Sequence, residues 1–119
     1  MLKDKIAAFI EKIRDIDGVT ACALVSRDGI ISGKYFEREM NEPWFGALTA
    51  TILASAESAG TLINLKSLSE VTVRGSDTSI LVMGAGDHFL IAAIIKGTAN
   101  QETVCSRIGA IAGEIGRVM

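Results

Sequence analysis

The 119-residue chain holds one histidine, one proline and two cysteines. Each scarcity removes a kind of chemistry. His88 stands alone at the opening of an apolar run, without a placed partner, and reads as a rim residue rather than a catalytic base. Cys22 and Cys105 have neither metal nor redox spacing and read as small buried apolar residues. A nucleophilic Cys22 would need a base beside it, and the spacing offers none. Basic clusters are also missing: a net charge of −2 and a pI near 5.3 leave no electrostatic case for nucleic acid or a membrane surface. No Walker loop, dinucleotide fingerprint, nucleophile elbow or zinc pattern is present. The run Gly84-Ala85-Gly86-Asp87 lies between two strand-like segments, whereas a phosphate loop leads from a strand into a helix, so it reads as a hairpin turn. Asp28 and Asp77 fit turn chemistry and need no acid–base role. The residues assign no catalytic, cofactor-binding or metal position. They point to a binding or scaffolding module rather than an enzyme.

What is present in quantity is apolar residue, 49% of the chain, ample for one core. A single domain spanning residues 1–119 is expected. The N-terminal sequence MLKDKIAAF has no cleavage-site pattern, and Leu2 stands where a myristoylation signal needs glycine, so a cytoplasmic protein is expected.

The longest feature is PWFGALTATILASAESAGTLINL, residues 43–65, read as one helix. Pro43 suits a first helical position, Asn41 or Glu42 suits the cap, and Lys66 follows the end. Thr49, Thr51, Ser55, Ser58, Thr61 and Asn64 make it too polar to span a membrane. At 100° per residue, Trp44, Phe45, Leu48, Ile52, Ala59, Leu62 and Ile63 form one stripe, taken as the face toward the core. The other side carries Gly46, Ala50, Ala54, Glu57 and Thr61, mostly small residues that suit close approach of a second helix, although alanine is also a good solvent-facing helix former. Trp44 and Phe45 fit either core packing or a partner-binding hot spot.

Ahead of this stretch, Ile6, Phe9, Ile10, Ile13 and Ile16 define an amphipathic helix over residues 3–16, ended by Asp17-Gly18. Residues 19–36 form two strand-like runs about Arg27-Asp28-Gly29, and Gly33 predicts a bulge or close backbone approach. Three further strand-like runs follow at 69–75, 78–84 and 88–97. The last segment carries Val104, Ile108, Ile111, Ile115 and Val118 at helical spacing, with Asn100 as its cap. Gly109, Gly113 and Gly116 each cost about 1 kcal/mol relative to alanine, tolerable where close packing offsets it.

The runs 19–25, 78–84 and 89–95 are apolar on both faces, so helices must cover both sides of the sheet. The expected fold is α+β: a three-layer α/β/α sandwich about a five-stranded antiparallel sheet, in the order helix-strand-strand-helix-strand-strand-strand-helix. The terminal helices are expected on one face and the central helix on the other. The run 69–75 alternates, with Val71 and Val73 on one side and Glu70, Thr72 and Arg74 on the other, which marks an edge open to another chain. Two copies paired antiparallel about Thr72 would set Glu70 against Arg74. The expected dimer surface is therefore Gly46, Ala50, Ala54, Glu57 and Thr61 with Glu70, Thr72 and Arg74.

The segment GVTACALVSRDGIISG resembles the first hairpin of the roadblock family of dynein-light-chain-like proteins. The alanine-rich helix, the three strands SEVTVRGSDTSILVMGAGDHFLIAAIIKG and the terminal helix extend the likeness over about residues 3–118. The resemblance implies a profilin-like fold and homodimers or heterodimers with a related roadblock chain, in which central helices pair and third strands join. It implies binding of a small Ras-like GTPase as scaffold or regulator of its nucleotide cycle, without a catalytic residue from this chain. A chain without added helices or tails is similar to minimal prokaryotic or archaeal members, which points away from a motor role. It places no GTPase-contacting residue. The competing reading is a small-molecule sensory module of similar architecture, which needs a pocket with convergent polar groups.

Overall fold

The computed structural model describes all 119 residues. Helix α1 (Leu2–Arg14) leads into strands β1 (Val19–Ser26) and β2 (Ile31–Phe36), then helix α2 (Glu42–Leu62), strands β3 (Val71–Arg74), β4 (Thr78–Ala85) and β5 (Phe89–Lys96), and helix α3 (Gln101–Val118). The strands form one antiparallel sheet in the order β2-β1-β5-β4-β3. The three runs that are apolar on both faces thus occupy the three central positions, as their patterning requires.

Both faces are filled. On one, α1 and α3 pack Ile13, Ile108 and Ile115 against Cys22, Leu24, Leu81, Ile91 and Ala93. On the other, α2 packs Ala50 and Leu53 against Ala23, Val25, Val82, Leu90 and Ala92. The predicted three-layer arrangement, two terminal helices opposite one central helix, is the observed one.

Local signals act as their chemistry dictates. Asn41 caps α2 by accepting from the Trp44 N–H, and Asn100 caps α3 by accepting from the Thr103 N–H. The β1–β2 register shifts between Leu24 and Val25, opposite the Gly33–Ile31 segment, and a Cβ on Gly33 would lie 2.4 Å from Ile6 Cγ2. Gly33 therefore serves as both a bulge neighbour and a close-approach point. Helix α2 stops three residues before the predicted end. Asn64, with φ of 56°, sends the Leu65 N–H back to the Gly60 carbonyl and its own N–H to that of Thr61, while Leu65 folds over Gly60. This is a Schellman stop with asparagine in the left-handed position.

The faces of α2 are turned from those expected, although Ala54, Glu57 and Thr61 stay exposed. The residues that meet the sheet are Gly46, Thr49, Ala50, Leu53 and Gly60. Most of the stripe predicted to face the core looks outward: Trp44 is 63% exposed, Leu48 53%, Leu62 85% and Ile63 73%, while Phe45 and Ile52 pack against the core as expected. Gly46 and Ala50 are therefore removed from the expected dimer surface, since they lie beneath the helix. The physical reason is steric. A Cβ on Gly46 would sit 2.4 Å from the Gly29 carbonyl oxygen, so α2 rests directly on the β1–β2 turn, and only small residues fit there. Phe45 stays at the margin, edge-on to Phe36 with ring centroids 5.6 Å apart.

Gly46→Ala adds a methyl group against that backbone. Despite alanine's better helix propensity, it is expected to destabilise the fold by about 1–3 kcal/mol. Equilibrium urea unfolding measures this; an unchanged or raised midpoint would show that α2 is not seated on the turn.

Candidate interaction surface

Three features of the surface are built rather than incidental. The first is the outward face of α2. Trp44, Leu48, Thr51, Ser55, Ala59 and Leu62 are all exposed and recur at helical spacing, giving an apolar and small-residue ridge along the helix. Ile63 and Leu65, also exposed, extend it past the C-terminal stop. A contiguous apolar stripe of this kind marks an interaction surface far more often than a solvated face.

The second feature is the free edge at β3. Val71 and Val73 share the face that α2 covers, opposite Val82 and Ile80. Glu70, Thr72 and Arg74 belong to the other face, where Thr72 lies opposite Leu81 and Arg74 opposite Ser79. Thr72 and Arg74 are exposed and Glu70 is half-buried. These three predicted interface residues therefore stand together at an open edge. Val73, 45% exposed, gives the same edge an apolar spot on the α2 side.

The third feature concerns Glu57, which pairs within the chain. The Arg27 Nη1 donates to both Glu57 carboxylate oxygens at 3.1 Å, Nη2 donates to the Gly86 carbonyl at 2.8 Å, and Nε donates to the Phe89 carbonyl at 3.2 Å. The Arg27 N–H also reaches the His88 carbonyl. One guanidinium thus ties the β1–β2 turn to the β4–β5 hairpin and to α2, using the planar fork that lysine lacks. Nothing in the local sequence marks this clamp, because an arginine ahead of Asp28-Gly29 is an ordinary turn residue. Ala54 and Thr61 remain exposed on the flank of α2, and the Thr61 hydroxyl donates to the Glu57 carbonyl.

The candidate chemical groups do not converge. His88 is exposed on the β4–β5 turn. Cys22 is buried beneath α1, and burial pushes its thiol up to about 12. Cys105 is only half-buried, contrary to the expectation of a buried residue. Its thiol is raised by partial desolvation and then by the neighbouring Glu70 carboxylate. No group of three or more His, Cys, Asp or Glu side chains is placed to hold a metal ion, and no helix is long and apolar enough to cross a membrane. The surface depressions are open grooves. One lies beside β2 at Lys34, Arg38 and Glu39, and another lies between α3 and the β3–β4 side, floored by Met83 and Gly109. Of the three α3 glycines only Gly116 is in tight contact, against Gly86; Gly109 and Gly113 line the second groove.

An antiparallel five-stranded sheet with two terminal helices on one face and a long central helix on the other defines a roadblock- and profilin-like α+β module. Residues 5–95 match the Roadblock/LC7 domain, and the chain belongs to that family. The solved MglB of Myxococcus xanthus is similar over 98% of this chain and 88% of its own, with a TM-score of 0.89 at 17% identity. The gliding protein MglB of Thermus thermophilus is similar over 97% and 88%, with a TM-score of 0.86 at 17% identity. Acanthamoeba castellanii profilin II shares the fold more loosely, with a TM-score of 0.68 at 13% identity over 93% of this chain and 96% of its own. No curated protein matches at the level of sequence.

Two outcomes check this geometry. Arg27→Ala removes four charge-assisted contacts and is expected to cost about 1–3 kcal/mol in urea unfolding, with Arg27→Lys recovering only part of it. An Arg27→Ala protein as stable as the parent would reduce the clamp to a surface contact. The Cys22 thiol sets a pH window. Its folded value near 12 lies above the ordinary 9.0, so its contribution is intact below pH 9 and is lost as pH rises toward 12. Cys22→Ala is expected to flatten that alkaline loss; an identical alkaline profile in the variant would refute the assignment.

Proposed function

We propose that this chain is a non-catalytic roadblock module that self-associates, or pairs with a related roadblock chain, and binds a small Ras-like GTPase as a scaffold or regulator of its nucleotide cycle. The observation that carries the reading is the outward stripe of α2. Trp44, Leu48 and Leu62 lie on the solvent side of a helix whose inner face is already satisfied by the sheet. Leaving such side chains in water forgoes about 1.5–3 kcal/mol for each large apolar residue that full burial would return. A second copy that lays its own α2 across this one buries both stripes at once, as two-fold symmetry requires. A relative of the same fold, MglB, has been solved in a tetrameric arrangement, which supports association through roadblock surfaces. Family membership supports the GTPase as partner, with the dimer presenting a composite surface to it. The scattered placement of His88, Cys22 and Cys105 agrees with regulation by contact rather than by reaction.

Sedimentation equilibrium at low micromolar concentration is the first test. The expected mass is twice the 12.6 kDa of the chain, and Leu48→Arg, which puts a charge in the middle of the stripe, is expected to weaken association at least ~tenfold without unfolding the protein. A monomer at every concentration would refute self-association. For the second half, the immobilised dimer is offered Ras-like GTPases of the source cell loaded with GDP or with a GTP analogue. Retention in one nucleotide state is the expected result; retention in neither removes the GTPase from the proposal.

A further inference from the structure

At 100° per residue, Glu102, Ser106, Gly109, Gly113 and Arg117 fall on one line of α3, opposite the buried Val104, Ile108, Ile111 and Ile115. Glu102, Ser106, Gly113 and Arg117 are exposed and Gly109 is half-buried. A helix line that faces water ordinarily carries long polar side chains, and each glycine on it costs stability relative to alanine. Nothing inside the chain needs these two. A Cβ on Gly109 would meet nothing nearer than the Met83 sulfur at 3.9 Å, and one on Gly113 nothing nearer than the Arg117 Nη1 at 3.5 Å, both ordinary contacts. Gly116 differs, since its Cβ would lie 3.2 Å from the Gly86 Cα. Gly109 and Gly113 therefore keep open an approach that only a backbone outside the chain can use.

We infer that the outward face of α3 is a second docking surface whose occupant is α3 of another copy, crossing it nearly antiparallel about a two-fold axis between Gly109 and Ala110. Charge complementarity chooses this occupant and this register. With the axis there, Gly109 of each helix faces Ala110 of the other, Ser106 faces Gly113, and Glu102 faces Arg117, twice over. The central residues are all small, so the two backbones approach closely. Neither Glu102 nor Arg117 has an ion-pair partner within the chain. Sliding one turn sets Glu102 against Glu114 in one direction and Arg117 against Ser106 in the other, and both opposite-charge pairs are lost. Parallel pairing sets Glu102 against Glu102 and Arg117 against Arg117. Both charges also suit the helix dipole, so they cost the free chain nothing. The glycines, which the dipole does not explain, are what call for an occupant. Helix α3 lies on the opposite face of the sheet from α2. A contact here is therefore independent of the association proposed through α2, and a chain that uses both links dimers to one another.

Sedimentation equilibrium from low to several hundred micromolar reads both steps, because a contact between two helices is small and weak. The parent is expected to pass from twice 12.6 kDa to larger masses as concentration rises. Glu102→Arg and Arg117→Glu, each alone, bring like charges together at both ends and are expected to weaken this second step about tenfold. The double variant, and an equimolar mixture of the two single variants, restore opposite charges and are expected to recover it. Gly113→Leu blocks the crossing and is expected to remove the second step. A raised urea midpoint in the same variant shows that it is folded and that the chain itself did not need the glycine. A lowered midpoint would place the glycine's role inside the chain and overturn the inference. So would a parent that stops at the dimer, or charge variants that associate as the parent does. Those outcomes leave dimerisation through α2 standing. If instead Leu48→Arg keeps the low-micromolar dimer and Glu102→Arg dissolves it, α3 carries that dimer and the α2 reading fails. A parent monomeric throughout removes both contacts.

Discussion

Everything on one side of this molecule depends on how closely α2 approaches the sheet. Gly46 and Gly29 meet without a Cβ between them, and Ala50 and Leu53 complete the contact with the central strands. Once the helix is seated that closely, its inner face has room for small residues and one leucine. Trp44, Leu48 and Leu62 are left on the outer face. Steric closeness on the inside thus produces an apolar ridge on the outside. The same seating brings Glu57 over Arg27, so that the helix is fixed by a charge clamp at one point and by backbone contact at another.

The opposite layer follows different physics. Helices α1 and α3 present ordinary amphipathic faces, with Ile13, Ile108 and Ile115 wholly buried. Salt bridging between them, Lys12 to Glu114 at 3.0 Å, is exposed and worth little. Stability on this side comes from close-packed isoleucine, leucine and methionine, and the terminal helices have no apolar stripe left over. One layer closes the core, and the other turns apolar surface outward.

The edge at β3 belongs to the same design. A short strand flanked by charge offers little to indiscriminate aggregation, because few backbone groups are free. Its apolar side, Val71 and Val73, lies on the α2 face, and α2 itself touches β3. Helix ridge and strand edge therefore belong to one side of the molecule.

The order of elements, both hairpins, the helix caps and the doubly covered sheet were all legible in the sequence. They depend on local chemistry: Asp28-Gly29 for a turn, Asn41 and Asn100 for caps, unbroken apolar runs for central strands. The edge position of the strand carrying Thr72 and Arg74 was legible too, because alternation along a strand is a property of the chain. Which face of α2 meets the sheet was not. Periodicity reports that a helix has an apolar stripe and a small-residue stripe, but burial is decided by what lies opposite, and here that is the Gly29 backbone. Arg27 was equally opaque, since its three carbonyl partners and its carboxylate partner come from segments 30 to 62 residues away. Local sequence determined the parts and their order. Only tertiary contact decided which surface was consumed in building the core and which was left exposed.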